Sequence, residues 1–144
     1  MWNDFGTYNL RDAVVEIIEK EGLKKDNNIL FSVPGAFELK FAAMQLGKKG
    51  TFEAVIAIGC VIRGETPHFD FICDAVAQGI KDCNVFTEVP TIFCVLTDNT
   101  KEQSIARSGG NLGNKGVEAA VTALQMIDFK RKIDVKPTNI GFGK

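Results

Sequence analysis

At 144 residues, with 45% apolar and 24% charged residues and a net charge of −1, the chain has the composition of one globular domain with a single continuous core. The near-zero charge and the lack of a basic run argue against nucleic acid or an anionic membrane as partner. No apolar stretch reaches the roughly 18–20 residues needed to cross a bilayer. "MWNDFGTYNL" lacks the basic and apolar segments of a signal peptide, so a cytoplasmic location is expected.

The order of elements is read from spacing. In "YNLRDAVVEIIEKEGL", Leu10, Val14, Ile17 and Ile18 share one helical face, and Gly22 can end the helix. After the polar turn "KKDNN", the run "ILFSV" before Pro34-Gly35 predicts a strand and a break. Ala36 to Leu46 returns to helical spacing through Leu39, Ala42, Ala43 and Leu46. "AVIAIGCVI" is apolar at successive positions, as suits a central parallel strand covered on both faces.

The next helix is expected to start at Pro67, with Thr66 capping from just outside and Ile72, Ala75, Val76, Gly79 and Ile80 as its buried stripe. Pro90 precedes another strand, "TIFCVL", followed by the turn "TDNT" and a short helix over Glu102–Ser108. "GGNLGNKG" reads as loop, and the last helix buries Val117, Ala120, Val121, Leu124 and Ile127. A polar tail from Lys130 onward is expected to be loose, giving one domain over 1–129 and a tail over 130–144. Strands alternating with helices imply a parallel sheet with right-handed crossovers in a three-layer α/β/α sandwich. Only three strands are evident, which is thin for a doubly covered sheet.

Cys60, Cys73, Cys83 and Cys94 form no CxxC pair, and one histidine is too few for most zinc sites. They read as free buried thiols in a reducing cytosol, with no metal site.

Ligands of open α/β sheets bind beyond the carboxyl ends of the strands. "CVIRGETPH" lies there, and its Gly64, Glu65 and Thr66 lead into a helix N-terminus, where free N–H groups favour an anion. His68, the only histidine, sits in the first turn. The helix dipole disfavours charge on its ring, while a docked anion would favour it, so the balance is open. His68 is either a proton-transferring group beside a phosphate-bearing substrate or an ordinary surface residue.

Arg107 either neutralises the end of a short helix or clamps a phosphate bidentately. Lys115 starts a helix, a poor place for a cation unless an anion accompanies it. Phe37 and Phe93 suit the core or stacking on a heterocycle. The glycine-rich "GGNLGNKG" matches neither GxxxxGK[ST] nor GxGxxG, so a nucleotide loop is not supported.

Together, "WN", "VPGAFE", "AIGCVIRGETPHFD", "VPTIFCVLT", "EQSIARSG" and "GNKG" running into "EAAVTALQMI" resemble the lumazine synthase family in order and spacing, from Trp2 to about Phe129. The resemblance implies a parallel, flavodoxin-like sheet. It also implies a transferase that condenses 5-amino-6-(D-ribitylamino)uracil with 3,4-dihydroxy-2-butanone 4-phosphate, releasing phosphate and water. Neither metal nor organic cofactor is implied.

By the same resemblance Trp2 stacks on the pyrimidine, Ala36, Phe37 and Glu38 line the ribityl and pyrimidine site, and Cys60, Val61 and Ile62 continue it. Glu65 and Thr66 hold the phosphate through their backbone, and His68 transfers protons. Phe93, Arg107 and Lys115 reach the site from a neighbouring subunit, with Arg107 on the phosphate. The implied assembly is a pentamer or a sixty-subunit shell, with riboflavin synthase as a further partner.

Three departures stand out. Members carry a central strand just before the aromatic-Asn pair, whereas Met1 here abuts Trp2. A misassigned start, a truncation or a permutation that places "NIGFGK" in that slot are the alternatives. Ala106 stands where many members have an acid, and the tail is longer than the family pattern. The main competing reading is a catalytically weak flavin-binding or shell-forming homologue. A flavodoxin-like nucleotide or flavin binder is disfavoured because no phosphate loop follows the first strand.

Overall fold

The computed structural model describes residues 4–134. Trp2 and the "NIGFGK" segment lie outside the described residues.

Helix α1 spans Asp4–Lys20. Gly22, at φ 84°, ends it. There the Gly22 N–H donates to Glu19 O at 3.0 Å and the Leu23 N–H to Ile18 O at 3.3 Å, the paired bonds of a Schellman ending. A single 3-10 turn over Ala36–Glu38 opens α2, Leu39–Lys49. Then follow β1 (Val55–Ile62), α3 (His68–Phe86), β2 (Thr91–Asp98) and α4 (Lys101–Arg107). Strands β3 (Ser108–Gly110) and β4 (Gly113–Asn114) precede α5, Lys115–Asp134.

Strands β1 and β2 run parallel in unbroken register from Val55↔Thr91 to Ile62↔Asp98. Alternation along them divides the core. Ile56, Ile58, Cys60 and Ile62 pack with Ile92, Cys94 and Leu96 against Leu10 of α1 and Ala119 and Ala123 of α5. Val55, Ala57, Val61 and Val95 turn the other way, onto Ala43 of α2 and Val76, Ile80 and Cys83 of α3. The sheet is therefore covered on both sides, which explains why "AVIAIGCVI" is apolar throughout. Leu10 and Val76 are fully buried, each contributing about 1.5–3 kcal/mol by burial.

Several elements differ from expectation. "ILFSV" runs without regular structure and joins no ladder; among the described residues the main sheet has two strands. Ile29, Leu30 and Phe31 are more than half exposed, and among the described residues no strand pairs with them. The β1 edge facing away from β2 opens instead onto a groove, with Leu30–Val33 on its other side.

At the start of α3 no side chain caps; Pro67 holds the N-cap position at φ −62°, and the helix proper begins at His68. "GGNLGNKG" forms the small antiparallel β3–β4 pair rather than plain loop. Helix α5 continues past Phe129 to Asp134. Lys132 pairs with Asp128 at 2.6 Å one turn earlier, and Arg131 pairs with Glu53 in front of β1. These exposed ionic contacts extend the helix into what composition alone marks as a loose tail.

Candidate active site

The sequence "GNKG" seats the start of α5 against α1. Gly113 takes φ 79°, a left-handed conformation that costs glycine little. Asn114 then caps α5, its Oδ1 accepting from the Gly116 N–H at 2.8 Å while its Nδ2 donates to Asn9 O of α1 at 3.1 Å. Gly116 lies so close to the Leu10 carbonyl that a Cβ would collide with it. Lys115 finds its anion within α5, donating to both carboxylate oxygens of Glu118 at 2.8 and 2.9 Å.

The groove beside β1 has a volume of about 720 Å³. Ala36, Phe37 and Glu38 from the 3-10 turn form one wall, Cys60, Val61 and Ile62 from the end of β1 another, and His68 stands at the start of α3. Seven sequence-predicted residues thus meet around one apolar space at the carboxyl end of β1, where an open α/β sheet binds ligands. His68 is exposed to solvent. Phe37 is 43% exposed, and Lys40 Nζ lies 3.5 Å from its ring centroid, so one face of the ring already carries a cation.

Cys60 is wall rather than nucleophile. Burial pushes its thiol up, offset in part by its hydrogen bond with Ser104. That bond is 3.4 Å long, and Ser104 Oγ donates onward to the buried Asp98 at 2.8 Å. None of the four cysteines is in a disulfide; Cys60, Cys83 and Cys94 are buried and Cys73 is half-buried.

Glu65 and Thr66 occupy the exposed loop before His68, outside the groove lining. Phe93, Arg107 and Lys115 meet elsewhere, around a second cavity of about 590 Å³ against β2 and α5. Arg107 is held loosely there: Nη1 donates to Gln103 O at 3.3 Å and stands 3.7 Å from Asp98 Oδ1. Within one chain, then, the predicted site divides into two clusters.

Sequence reading passes over the contacts of Arg63. Its guanidinium binds both carboxylate oxygens of Asp70 at 2.7 and 3.0 Å and Asn99 Oδ1 at 2.9 Å. The signal was present in "RGETPHFD", as opposite charges at either end of a helix-starting loop. Tyr8 and Arg11 of α1 also line the groove, and nothing in their helical spacing marks them for it.

A doubly covered parallel α/β sheet, with an apolar groove at a strand end and a histidine at the helix start beside it, defines a small-molecule enzyme of the α/β class. The family model for 6,7-dimethyl-8-ribityllumazine synthase matches residues 1–131. A protein of that name from Flavobacterium psychrophilum is 48% identical over 98% of this chain and 72% of its own. One from Cytophaga hutchinsonii is 51% identical over 88% and 79%, and one from Bacteroides fragilis 47% over 89% and 90%. The chain belongs to the 6,7-dimethyl-8-ribityllumazine synthase family.

Proposed function

We infer that the chain forms 6,7-dimethyl-8-ribityllumazine from 5-amino-6-(D-ribitylamino)uracil and 3,4-dihydroxy-2-butanone 4-phosphate. The observation that carries this reading is the gathering of Ala36, Phe37, Glu38, Cys60, Val61, Ile62 and His68 around one groove. The apolar lining suits the heterocycle, and the polar residues among it, such as Arg11, Ser32 and Glu38, suit the ribityl chain.

The reaction adds a primary amine to a ketone, expels phosphate and closes a ring. Protons must move at each step, and an exposed imidazole at the groove can accept and return them. The Gly64–Thr66 backbone ahead of α3 receives the phosphate, which leaves with its charge stabilised by N–H groups and a guanidinium. Holding two substrates in register supplies much of the rate. No metal or organic cofactor takes part in this scheme.

The guanidinium is Arg107 of an adjacent copy, since in one chain Arg107, Phe93 and Lys115 line a different cavity from His68. By family resemblance, the active form in this reading is a pentamer or a shell of pentamers, working in the cytoplasm and handing its product to riboflavin synthase. Stacking of Trp2 on the pyrimidine rests on the family resemblance alone.

The test is to follow lumazine formation by absorbance and fluorescence for the parent and His68→Ala. We expect a drop of about 10²-fold or less, bounded by the general acid–base contribution and by the uncatalysed condensation that continues without the imidazole. Equal rates in both proteins would overturn the role of His68.

A further inference from the structure

Arg63 ends the extended chain of β1 and immediately precedes the Gly64–Pro67 loop. Its backbone N–H donates to Asp98 O at 2.9 Å. Nη1 and Nη2 donate to the two oxygens of Asp70, Nε donates to Asn99 Oδ1, and the guanidinium carbon lies 4.2 Å from the Phe69 ring centroid. A rigid fork is thus fixed in its plane by two residues and across its face by a third. Asp70 lies in the first turn of α3, two residues after His68. Asn99 follows β2, and its own N–H is held by Gln103 Oε1 of α4 at 2.8 Å.

The loop between these fixed points is exposed throughout, from Gly64 to Pro67. Its two ends are joined by the Arg63–Asp70 pair, and the pair is tied through Asn99 to the helix carrying Arg107. An arginine beside an anion site would ordinarily be read as the anion's ligand. Here the carboxylate already takes both terminal nitrogens, so the guanidinium has little uncompensated charge to offer a phosphate.

We propose that Arg63 is a positioning residue: through Asp70 it sets the Gly64–Thr66 backbone and His68 against the groove, without binding substrate itself. This rests on the reading that the loop receives the phosphate and that His68 moves protons. Loosening the clamp misplaces both together, so it raises the KM for the phosphate substrate and lowers kcat while sparing the uracil end of the groove.

The experiment compares parent, Arg63→Ala, Arg63→Lys, Asp70→Asn and His68→Ala in steady state, varying each substrate separately, with circular dichroism and sedimentation as folding controls. Arg63→Ala and Asp70→Asn should each lose about 10-fold or more in kcat/KM for the phosphate substrate, the scale expected of a misplaced near-attack geometry. The KM for the uracil should move less than about 2-fold. Arg63→Lys, which keeps the charge but not the fork, should behave like Arg63→Ala.

If Arg63 were instead the phosphate ligand, Arg63→Lys would retain most activity and Asp70→Asn would tighten phosphate binding; either result overturns the proposal. Should Arg63→Ala fail to fold, Arg63→Lys and the near-isosteric Asp70→Asn decide alone. If His68→Ala is impaired while the clamp variants match the parent, only this proposal falls. If His68→Ala also matches the parent, the functional reading falls with it.

Discussion

The clamp around Asp70 has a consequence in acid that can be measured without substrate. The hydrogen-bonded Arg63 guanidinium holds the Asp70 carboxyl below its ordinary value of 3.8. Between the folded and ordinary values, the unfolded chain binds a proton at Asp70 that the folded chain does not, so folding weakens as pH falls. The contribution is complete above the ordinary carboxylate range and disappears as pH drops through the folded value. Urea midpoints of the parent and Asp70→Asn should therefore differ by a constant amount above about pH 5 and begin to converge only as pH falls below the ordinary 3.8. Midpoints that keep a constant separation as pH falls well below 3.8 would mean that ionised Asp70 is not what stabilises the fold. Both side chains are exposed, so the gap should also narrow in high salt. Cys94 shows the opposite environment: burial pushes its thiol up to about 12, which removes it from thiolate chemistry at neutral pH.

At the scale of elements, the closest approach of α1 and α5 depends on Gly116. Replacing it with alanine sets a methyl group against the Leu10 carbonyl, backbone that cannot swing aside as a side chain would. Gly116→Ala should cost about 1–3 kcal/mol through overpacking, read as a lowered denaturant midpoint with unchanged slope. An unchanged midpoint would show that the helices can slide apart freely. The sequence makes this α1–α5 contact hard to anticipate, because "GNKG" resembles a loop until the cap at Asn114 and the neighbouring helix are seen together. Where local periodicity decided the outcome, α1, α3 and the two paired strands are legible from apolar spacing. Helix α5 is legible as a helix but not in its face: Val117 and Val121, expected in the core, are exposed, and the buried residues are Gly116, Ala119, Ala120 and Ala123. Reading failed at "ILFSV", whose composition suits a strand but whose ladder depends on a neighbour elsewhere in the chain. It also passed over Arg63, since the partners Asp70 and Asn99 are brought to it by two different elements. The groove residues of "VPGAFE" and "CVIRGETPH" were legible only as motifs, while Tyr8 and Arg11 became visible once α1 was laid against β1.

For the whole molecule, several large apolar side chains stand exposed. Phe41, Phe71, Val85 and Phe86 on α2 and α3 are each at least 66% exposed, and Ile105, Leu112 and Phe129 add to the apolar surface. Where such side chains adjoin, they mark protein contacts, which is what the proposed sharing of the site between copies requires. Sharing makes a specific prediction. His68→Ala and Arg107→Ala should each be less active than the parent as homogeneous assemblies, measured at a phosphate-substrate concentration that does not saturate Arg107→Ala. In mixed assemblies an Arg107→Ala subunit supplies an intact His68 to a groove whose neighbour, a His68→Ala subunit, supplies an intact Arg107. If subunits mix at random in equal amounts, about a quarter of the sites then carry both groups. Unfolding and refolding the two variants together should therefore restore about a quarter of parent activity, whereas mixing without refolding should restore none. A refolded mixture no more active than the mean of its components would place His68 and Arg107 in the same chain's site. The two-cavity division would then be a rearrangement within one subunit, and Arg107 would have to cross from β2 to the β1 groove to meet the phosphate.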